Sequence, residues 1–169
     1  VPTSGTWNAT TSSNTWTFTA DGLKCDGNFY HTDSPDRDPA TAHLGGDILL
    51  LGDFLVYDQT PDHAGGVEVT VDVTPNDVDT WGVILNYDAT ARTYYKLAID
   101  IQRDKRAHII KVNGDASRVA KTSINNLAVL QGQADTYTIS LKSSDGVVQA
   151  YINGILVGHF VDSDPLSGG

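Results

Sequence analysis

The sequence predicts an all-β protein, an antiparallel β-sandwich or jelly roll, on three observations. Roughly ten to twelve short runs alternate between apolar and polar residues, with turn residues between them. Of the 21 acidic residues Glu68 is the only glutamate, and aspartate favours turns whereas glutamate favours helices. No stretch carries the apolar period of a helix longer than about three turns. These features together favour a β-sandwich or jelly roll over a fold with long helices.

The N-terminal third of the chain combines short strands with long loops. Val1–Ser13 is rich in Ser, Thr and Asn, which predicts a loose arm or a short edge strand. Asp21-Gly22 is a turn signal between two short alternating runs, and Asp26–Gly46 is a long polar loop. The strands predicted in this third are Trp16–Thr19, Leu23–Cys25 and Asp47–Tyr57, the last interrupted or bulged at Gly52-Asp53.

The middle of the chain holds the clearest alternation. In Val67–Val73 the valines fall on one face, while Glu68, Thr70 and Asp72 fall on the other. Trp81–Ile101 reads as a central hairpin, because two aromatic-rich runs flank the polar turn Asp88–Thr93.

The C-terminal part continues the pattern. Asn153-Gly154 is the strongest hairpin signal in the chain, because this dipeptide suits the tight turn between paired strands. Ile124–Asp135 is the least strand-like region and predicts a loop or a helical turn. The strands predicted here are Ala107–Asn113, Arg118–Ser123, Thr136–Leu141, Val147–Ile152 and Ile155–Phe160.

Length and charge limit the organisation and the partners. A chain of 169 residues predicts a single domain over 1–169, with 1–13 as an N-terminal arm. The formal net charge of −10 disfavours nucleic acid and anionic membranes as partners. No apolar run has the length needed to span a bilayer, so membrane insertion is not expected. Cys25 is the only cysteine, which excludes an internal disulfide.

The central hairpin carries the best candidate for a binding surface. By strand alternation, Tyr94, Lys96 and Asp100 share one face, and Asn86 is placed with them. An aromatic ring beside hydrogen-bonding groups is typical of a ligand platform. The alternative is an ordinary solvated face, and the pattern leaves both interpretations open.

Three stretches, in this order, resemble the concanavalin A-like (laminin-G-like) jelly roll. They are the opening Trp16…Asp21-Gly22-Leu23, the hairpin Gly82–Leu85…Tyr94–Leu97, and the hairpin Val148–Val157. The resemblance spans about residues 15–165 and implies a sandwich fold. Members of this superfamily are carbohydrate-binding modules, lectins, adhesion domains or glycoside hydrolases. They commonly bind glycans on a concave sheet or a loop rim, often with a structural calcium ion.

The resemblance also implies site residues. Asn86, Tyr94, Lys96 and Asp100 match the concave-sheet positions, and Trp81 and Arg92 lie near the ends of the same hairpin. In this interpretation the aromatic rings stack on sugar faces, and the polar side chains hydrogen-bond to hydroxyl groups.

Catalysis is not expected. The laminarinase-like hydrolases of the superfamily need a Glu-x-Asp-x-Glu strand, whereas this chain has Glu68-Val69-Thr70-Val71-Asp72. Glycoside hydrolysis needs two carboxylates at a set separation with different pKa values. A glycoside hydrolase or lyase that uses Glu68 is therefore the least favoured hypothesis.

Aspartates in loops are candidates for calcium, a hard cation that prefers oxygen ligands. The first candidate set is Asp33, Asp36 and Asp38, and the second is Asp162 with Asp164. Neither set matches an EF-hand, and the alternative is that these side chains cap turns. The histidines show no spacing typical of a zinc or iron site.

The leading hypothesis is an extracellular, secreted or cell-surface domain that binds a polysaccharide or glycan, or mediates adhesion, without catalysis. The alternative is a structural subunit of an extracellular filament or surface layer. In the superfamily one more strand usually follows the Ser-Gly-Gly-like turn near Gly169. Three alternatives are open: the N-terminal arm supplies this strand, the strand was cut away, or a neighbouring molecule donates it. Self-association by strand addition would then assemble the subunits.

Overall fold

A computed structural model describes the chain at residues 7–9, 16–19, 22–25, 55–57, 66–75, 81–88, 90–91, 93–101, 105–113 and 117–167. Contacts divide the chain into two units, Val1–Thr60 and Pro61–Gly169. Within the described ranges all regular structure is β-strand, and no helix there is long and apolar enough to cross a membrane. The predicted all-β class is confirmed.

In its described residues the first unit contributes four short strands in two antiparallel pairs. The predicted hairpin around Asp21-Gly22 is present, with Trp16 opposite Cys25. The predicted arm contains a strand that pairs within its own chain, with Trp7 opposite Tyr57. These strands are β1 (Trp7–Ala9), β2 (Trp16–Thr19), β3 (Gly22–Cys25) and β4 (Leu55–Tyr57).

The described part of the second unit is an antiparallel β-sandwich of two four-stranded sheets. The C-terminal sheet has the order β12-β11-β10-β5, and the central sheet has the order β6-β7-β8-β9. The strands are β5 (Val67–Val73), β6 (Trp81–Asp88), β7 (Thr93–Asp100), β8 (Arg106–Asn113), β9 (Ser117–Ile124), β10 (Tyr137–Ser144), β11 (Val147–Ile152) and β12 (Ile155–Val161).

The core of this unit lies between the inner faces of the two sheets. Alternation puts Leu97 and Ile99 of β7 into the core together with Ile139 and Leu141 of β10, and all four side chains are fully buried. The predicted pattern of β5 is confirmed: its valines are half-buried against this core, and Glu68 is exposed. Burial of such aliphatic side chains contributes about 1.5–3 kcal/mol each, so this shared layer holds the two sheets together.

The hairpin predicted at Asn153-Gly154 connects β11 and β12. Both residues have positive φ, 51° and 75°, which asparagine and glycine tolerate best. The Asn153 side-chain oxygen accepts a hydrogen bond of 3.0 Å from the backbone N–H of Thr138 on the neighbouring strand β10. The turn therefore fixes the register of the sheet edge as well as reversing the chain.

The region predicted to be least strand-like connects β9 to β10 without regular structure. Leu130 anchors this loop, since its side chain is fully buried in the core. The Tyr137 hydroxyl accepts hydrogen bonds from the backbone N–H groups of Gln131 (3.0 Å) and Gly132 (2.9 Å). It also donates to the Gly132 carbonyl at 2.7 Å, so one buried side chain holds the loop at the sandwich end.

Candidate functional site

The predicted hairpin site lies on the outer face of the central sheet. Tyr94, Lys96 and Asp100 alternate along β7 with Tyr95, Leu97 and Ile99, which point into the core. The cross-strand partner of Lys96 on β8 is Ile110, and opposite residues share a face. The prediction that Tyr94, Lys96 and Asp100 share one face is confirmed by their alternation along β7, whereas the cross-strand register does not assign Asn86 to that face.

This outer face is not solvated, which corrects the expectation of an exposed platform. The side chains of Asn86, Tyr94 and Lys96 are only 4%, 5% and 7% exposed. Ala98 and Ile110, on the same face, are fully buried. Alternation assigns residues only to one face or the other, and β7 is buried on both faces, so its alternation separates two buried layers. We call the surface formed by Tyr94, Lys96, Ala98 and Ile110 the buried face; the ligand role of the predicted site residues stays a prediction.

Burial shifts the titration of two groups on the buried face. Loss of hydration, with a smaller contribution from Tyr87, raises the pKa of Tyr94 to about 12. Loss of hydration lowers the pKa of Lys96 to about 8. The ring centroids of Tyr87 and Tyr94 lie 6.1 Å apart. Tyr94 therefore stays a neutral hydrogen-bond donor near neutral pH, and Lys96 is an amine that loses its proton unusually easily.

Asn86 lies at an irregularity in the pairing of the hairpin strands. The β6–β7 register shifts between Leu85 and Asp88, and Asn86 adopts a positive φ of 52°. Asp88 then closes the turn, because its Oδ1 accepts 2.8 Å hydrogen bonds from the N–H groups of Thr90 and Ala91. The nearby predicted site residue Arg92 lies outside the described residues.

The structure places Trp81 apart from the other predicted site residues. It packs with the core at the start of β6, and its ring stacks on Tyr137 with centroids 5.6 Å apart and planes inclined by 27°. Its Nε1 is buried and has no hydrogen-bond partner in the described part of the chain. Trp81 therefore does not join Tyr94 in one platform.

The predicted pair Asp162 and Asp164 lies directly after β12 and meets Lys111 of β8. The Asp162 Oδ2 lies 2.9 Å from the Lys111 Nζ and accepts a 2.7 Å hydrogen bond from the Tyr95 hydroxyl. Its Oδ1 accepts from the backbone N–H of Asp164 at 3.1 Å. Lys111 also donates to the Asp164 carbonyl, and the Leu166 N–H donates to the Tyr95 hydroxyl at 3.0 Å.

In this cluster the Lys111 ammonium is the cation that pairs with the Asp162 carboxylate. Burial alone would raise the pKa of Asp162, but hydrogen bonds from Lys111, Tyr95 and the Asp164 N–H hold it below its ordinary value. A calcium ion at Asp162 would have to displace the Lys111 ammonium. Asp33, Asp36 and Asp38, the other predicted calcium set, lie outside the described residues. Among the residues that are described, no group of three His, Cys, Asp or Glu side chains could hold a metal ion.

The outer face of the C-terminal sheet differs from the buried face and was not singled out by the sequence. Its side chains are exposed or half-buried throughout. We call it the open face; it comprises Glu68, Thr70, Asp72, Thr138, Ser140, Lys142, Ser144, Val147, Gln149, Tyr151, Leu156, His159 and Val161. The signal that could have found it is the period-2 pattern of β10 and β11, whose outward positions are polar except for Tyr151 and Val147.

Hydrogen bonds order one edge of the open face. The hydroxyl groups of Thr70 and Ser140 lie 2.8 Å apart across strands β5 and β10. One row further, Thr138 donates to Asp72 Oδ1 at 2.6 Å. The other polar side chains stay available: within the described part of the chain, no hydrogen bond or ion pair engages Lys142, Gln149 or Tyr151.

Glu68 and Asp72 both lie on the open face, but their spacing does not suit glycoside hydrolysis. They are four residues apart on β5, a rise of about 13 Å along a strand. The carboxylates of retaining and inverting glycosidases are about 5 to 9.5 Å apart. Asp72 is also engaged by Thr138.

Comparison with known proteins identifies the architecture. No protein-family model matches the sequence, and no curated protein matches it. Among solved structures, the chain is similar to the carbohydrate binding module CBM66 from Bacillus subtilis, with a TM-score of 0.68 and 15% sequence identity. The match covers 96% of this chain and 83% of that chain. At this identity the likeness shows a shared β-sandwich fold.

Proposed function

We propose that this chain is a non-catalytic carbohydrate-binding module. The observation that carries the proposal is the fold likeness to a carbohydrate binding module over 96% of the chain. A sheet face with an accessible tyrosine and unengaged polar side chains supports it, because sugars present both apolar C–H faces and hydroxyl edges to a protein. Secretion or display at the cell surface, and a role in adhesion, belong to the same proposal.

The absence of catalysis is part of the proposal. The support comes from Glu68 and Asp72, whose positions along β5 are too far apart for the two-carboxylate mechanism. The module is expected to bind a polysaccharide and release it unchanged. A structural calcium ion at Asp33, Asp36 and Asp38 is proposed as a support for the loop that the sequence predicts over Asp26–Gly46.

Binding to a panel of soluble polysaccharides tests this function directly. Affinity gel electrophoresis should show retarded migration in at least one polysaccharide, and calorimetry should give its Kd. Each measurement is repeated in calcium and in EDTA; a weaker affinity in EDTA supports the calcium site. Reducing-sugar release should stay at the level of a protein-free control. Migration unchanged in every polysaccharide would refute the proposal.

Self-association is a second candidate function, favoured by one observation. β12 ends the C-terminal sheet among the described strands, and it carries exposed apolar side chains: Ile155 (57%), Leu156 (46%) and Val161 (73%). Edge strands of this kind can accept a strand from another molecule. Size-exclusion chromatography with light scattering over a range of concentrations tests it, and a monomer at all of them would exclude it.

A further inference from the structure

The open face has a regular arrangement because β5, β10 and β11 pair without a register shift, and β12 continues the sheet with one irregularity at Ala150/Tyr151. In one row, Lys142 stands between Glu68 on β5 and Gln149 on β11, with His159 beyond on β12. In the next row, Tyr151 stands between Ser140 on β10 and Leu156 on β12. A polar row therefore runs beside a row that contains the aromatic ring.

This arrangement suits an extended polymer better than a small compact ligand. Neighbouring strands lie about 4.8 Å apart, so the two rows cross the sheet as parallel tracks of similar length. Tyr151 is half-buried, which limits its rotamers while leaving part of its ring accessible. A rigid aromatic of this kind provides contact area at a low cost in conformational entropy.

The charges of the open face point to an uncharged occupant. Lys142 is directly opposite Glu68, so the polar row contains one cation and one anion. Asp72 adds a further negative charge at the edge, and the chain as a whole has a net charge of −10. An acidic polymer would be repelled, whereas an uncharged polyhydroxyl chain can use both the donors and the acceptors of the row.

We propose that the open face binds an uncharged polysaccharide chain, with Tyr151 stacking on a sugar ring and Gln149 and Lys142 hydrogen-bonding to its hydroxyl groups. This inference rests on the proposed function and gives it a location and a ligand class. The buried face offers no comparable access, because its tyrosine is 5% exposed.

A pair of tyrosine variants tests the location. Tyr151→Ala should raise the Kd for the best uncharged polysaccharide about 30-fold, the effect of removing a central aromatic anchor. Tyr87→Ala is the matched control, since Tyr87 is also half-buried but packs on Tyr94 of the other sheet; its Kd should stay within about twofold. Tyr151→Phe should bind nearly as well as the wild type, because the ring is retained.

The outcomes separate the location from the function. If the wild type binds and Tyr151→Ala binds with the same Kd, the open-face location is overturned and the proposed function stands. If Tyr87→Ala loses binding and Tyr151→Ala does not, the binding site lies at the buried face. If Tyr151→Ala unfolds by near-UV circular dichroism, Gln149→Ala takes its place, and an unchanged Kd overturns the proposal. Tighter binding to a polyuronate than to every uncharged polysaccharide overturns the ligand class. A wild-type protein that binds nothing refutes the function itself.

Discussion

The outer faces of the two sheets carry similar types of side chain but differ in how deeply those side chains are buried. Each combines a tyrosine with a lysine and amide or carboxylate side chains at alternate strand positions. On the central sheet Tyr94 and Lys96 are buried, whereas on the C-terminal sheet Tyr151 and Lys142 are only half-buried. Alternation therefore tells which residues lie together, and it does not tell whether water reaches them.

The side chains around each lysine explain the chemical consequence of this difference in burial. Lys96 is opposite Ile110 and close to Ala98, so its ammonium loses hydration and its pKa falls to about 8. Lys142 is opposite Glu68 and Gln149 on a face exposed to solvent. The same side-chain type is thus a titratable, desolvated group on one sheet and a hydrated contact group on the other.

The largest effect is expected when a buried charge loses its partner. Lys111→Met should destabilise the protein by about 3–5 kcal/mol, because it leaves the Asp162 carboxylate buried without its cation. Urea unfolding followed by circular dichroism measures the loss. Lys142→Met on the open face is the control and should change the free energy of unfolding by less than about 0.5 kcal/mol. Equal effects of the two variants would contradict the described burial of Lys111.

The next effect concerns the aromatic ring of the buried face. Tyr94→Ala should cost about 3 kcal/mol of stability, because it leaves a cavity in a packed layer. The midpoint of urea unfolding measures it. A loss below about 1 kcal/mol would mean that solvent already reaches Tyr94, as expected of an exposed platform.

The pH dependence of stability tests the environment of Lys96. Its pKa is lower in the folded protein, about 8, than the ordinary value of 10.5. Between these values the unfolded chain binds more protons than the folded one, so stability should rise with pH. The rise from pH 7 to pH 10 should be about 2 kcal/mol, and Lys96→Met should abolish it. A rise retained in Lys96→Met, or lost in Lys142→Met, would assign it to another group.

The smallest effect is expected on the open face. Tyr151→Ala should change the free energy of unfolding by less than about 1 kcal/mol, because its ring is only half-buried on the outer face of the sheet. The same urea titrations measure this value. A loss as large as that of Tyr94→Ala would make Tyr151 a packing residue and weaken its assignment to ligand binding.

Local chemistry made much of the fold predictable. Val67–Val73 was predicted as a strand with its valines inward, and its bounds and pattern are confirmed. The hairpins at Asn153-Gly154 and Asp88–Thr93 follow from turn residues that tolerate positive φ or cap their own turn. Such signals depend on residues only a few positions apart, so they do not require knowledge of the tertiary contacts.

The sites were harder because exposure depends on distant residues. Tyr94 and Tyr151 each sit in a run of alternating strand residues, and nothing within those runs distinguishes a face that becomes buried from one that stays open. Asp162 was predicted as a metal ligand because it forms a short pair with Asp164, yet Lys111, its partner, is 51 positions away in the chain. Long-range pairing of this kind leaves no local mark in the sequence.

Trp81, which stacks on Tyr137, gives the second unit a tryptophan fluorescence signal of its own. The chain has three tryptophans: Trp7 and Trp16 belong to residues 1–60, and Trp81 belongs to residues 61–169. An indole with a buried Nε1 emits at shorter wavelength than one in water, and its emission shifts to the red when the sandwich opens. Comparing the fluorescence of the wild type with that of Trp81→Phe would therefore report, without any label, whether the two units melt together or one after the other.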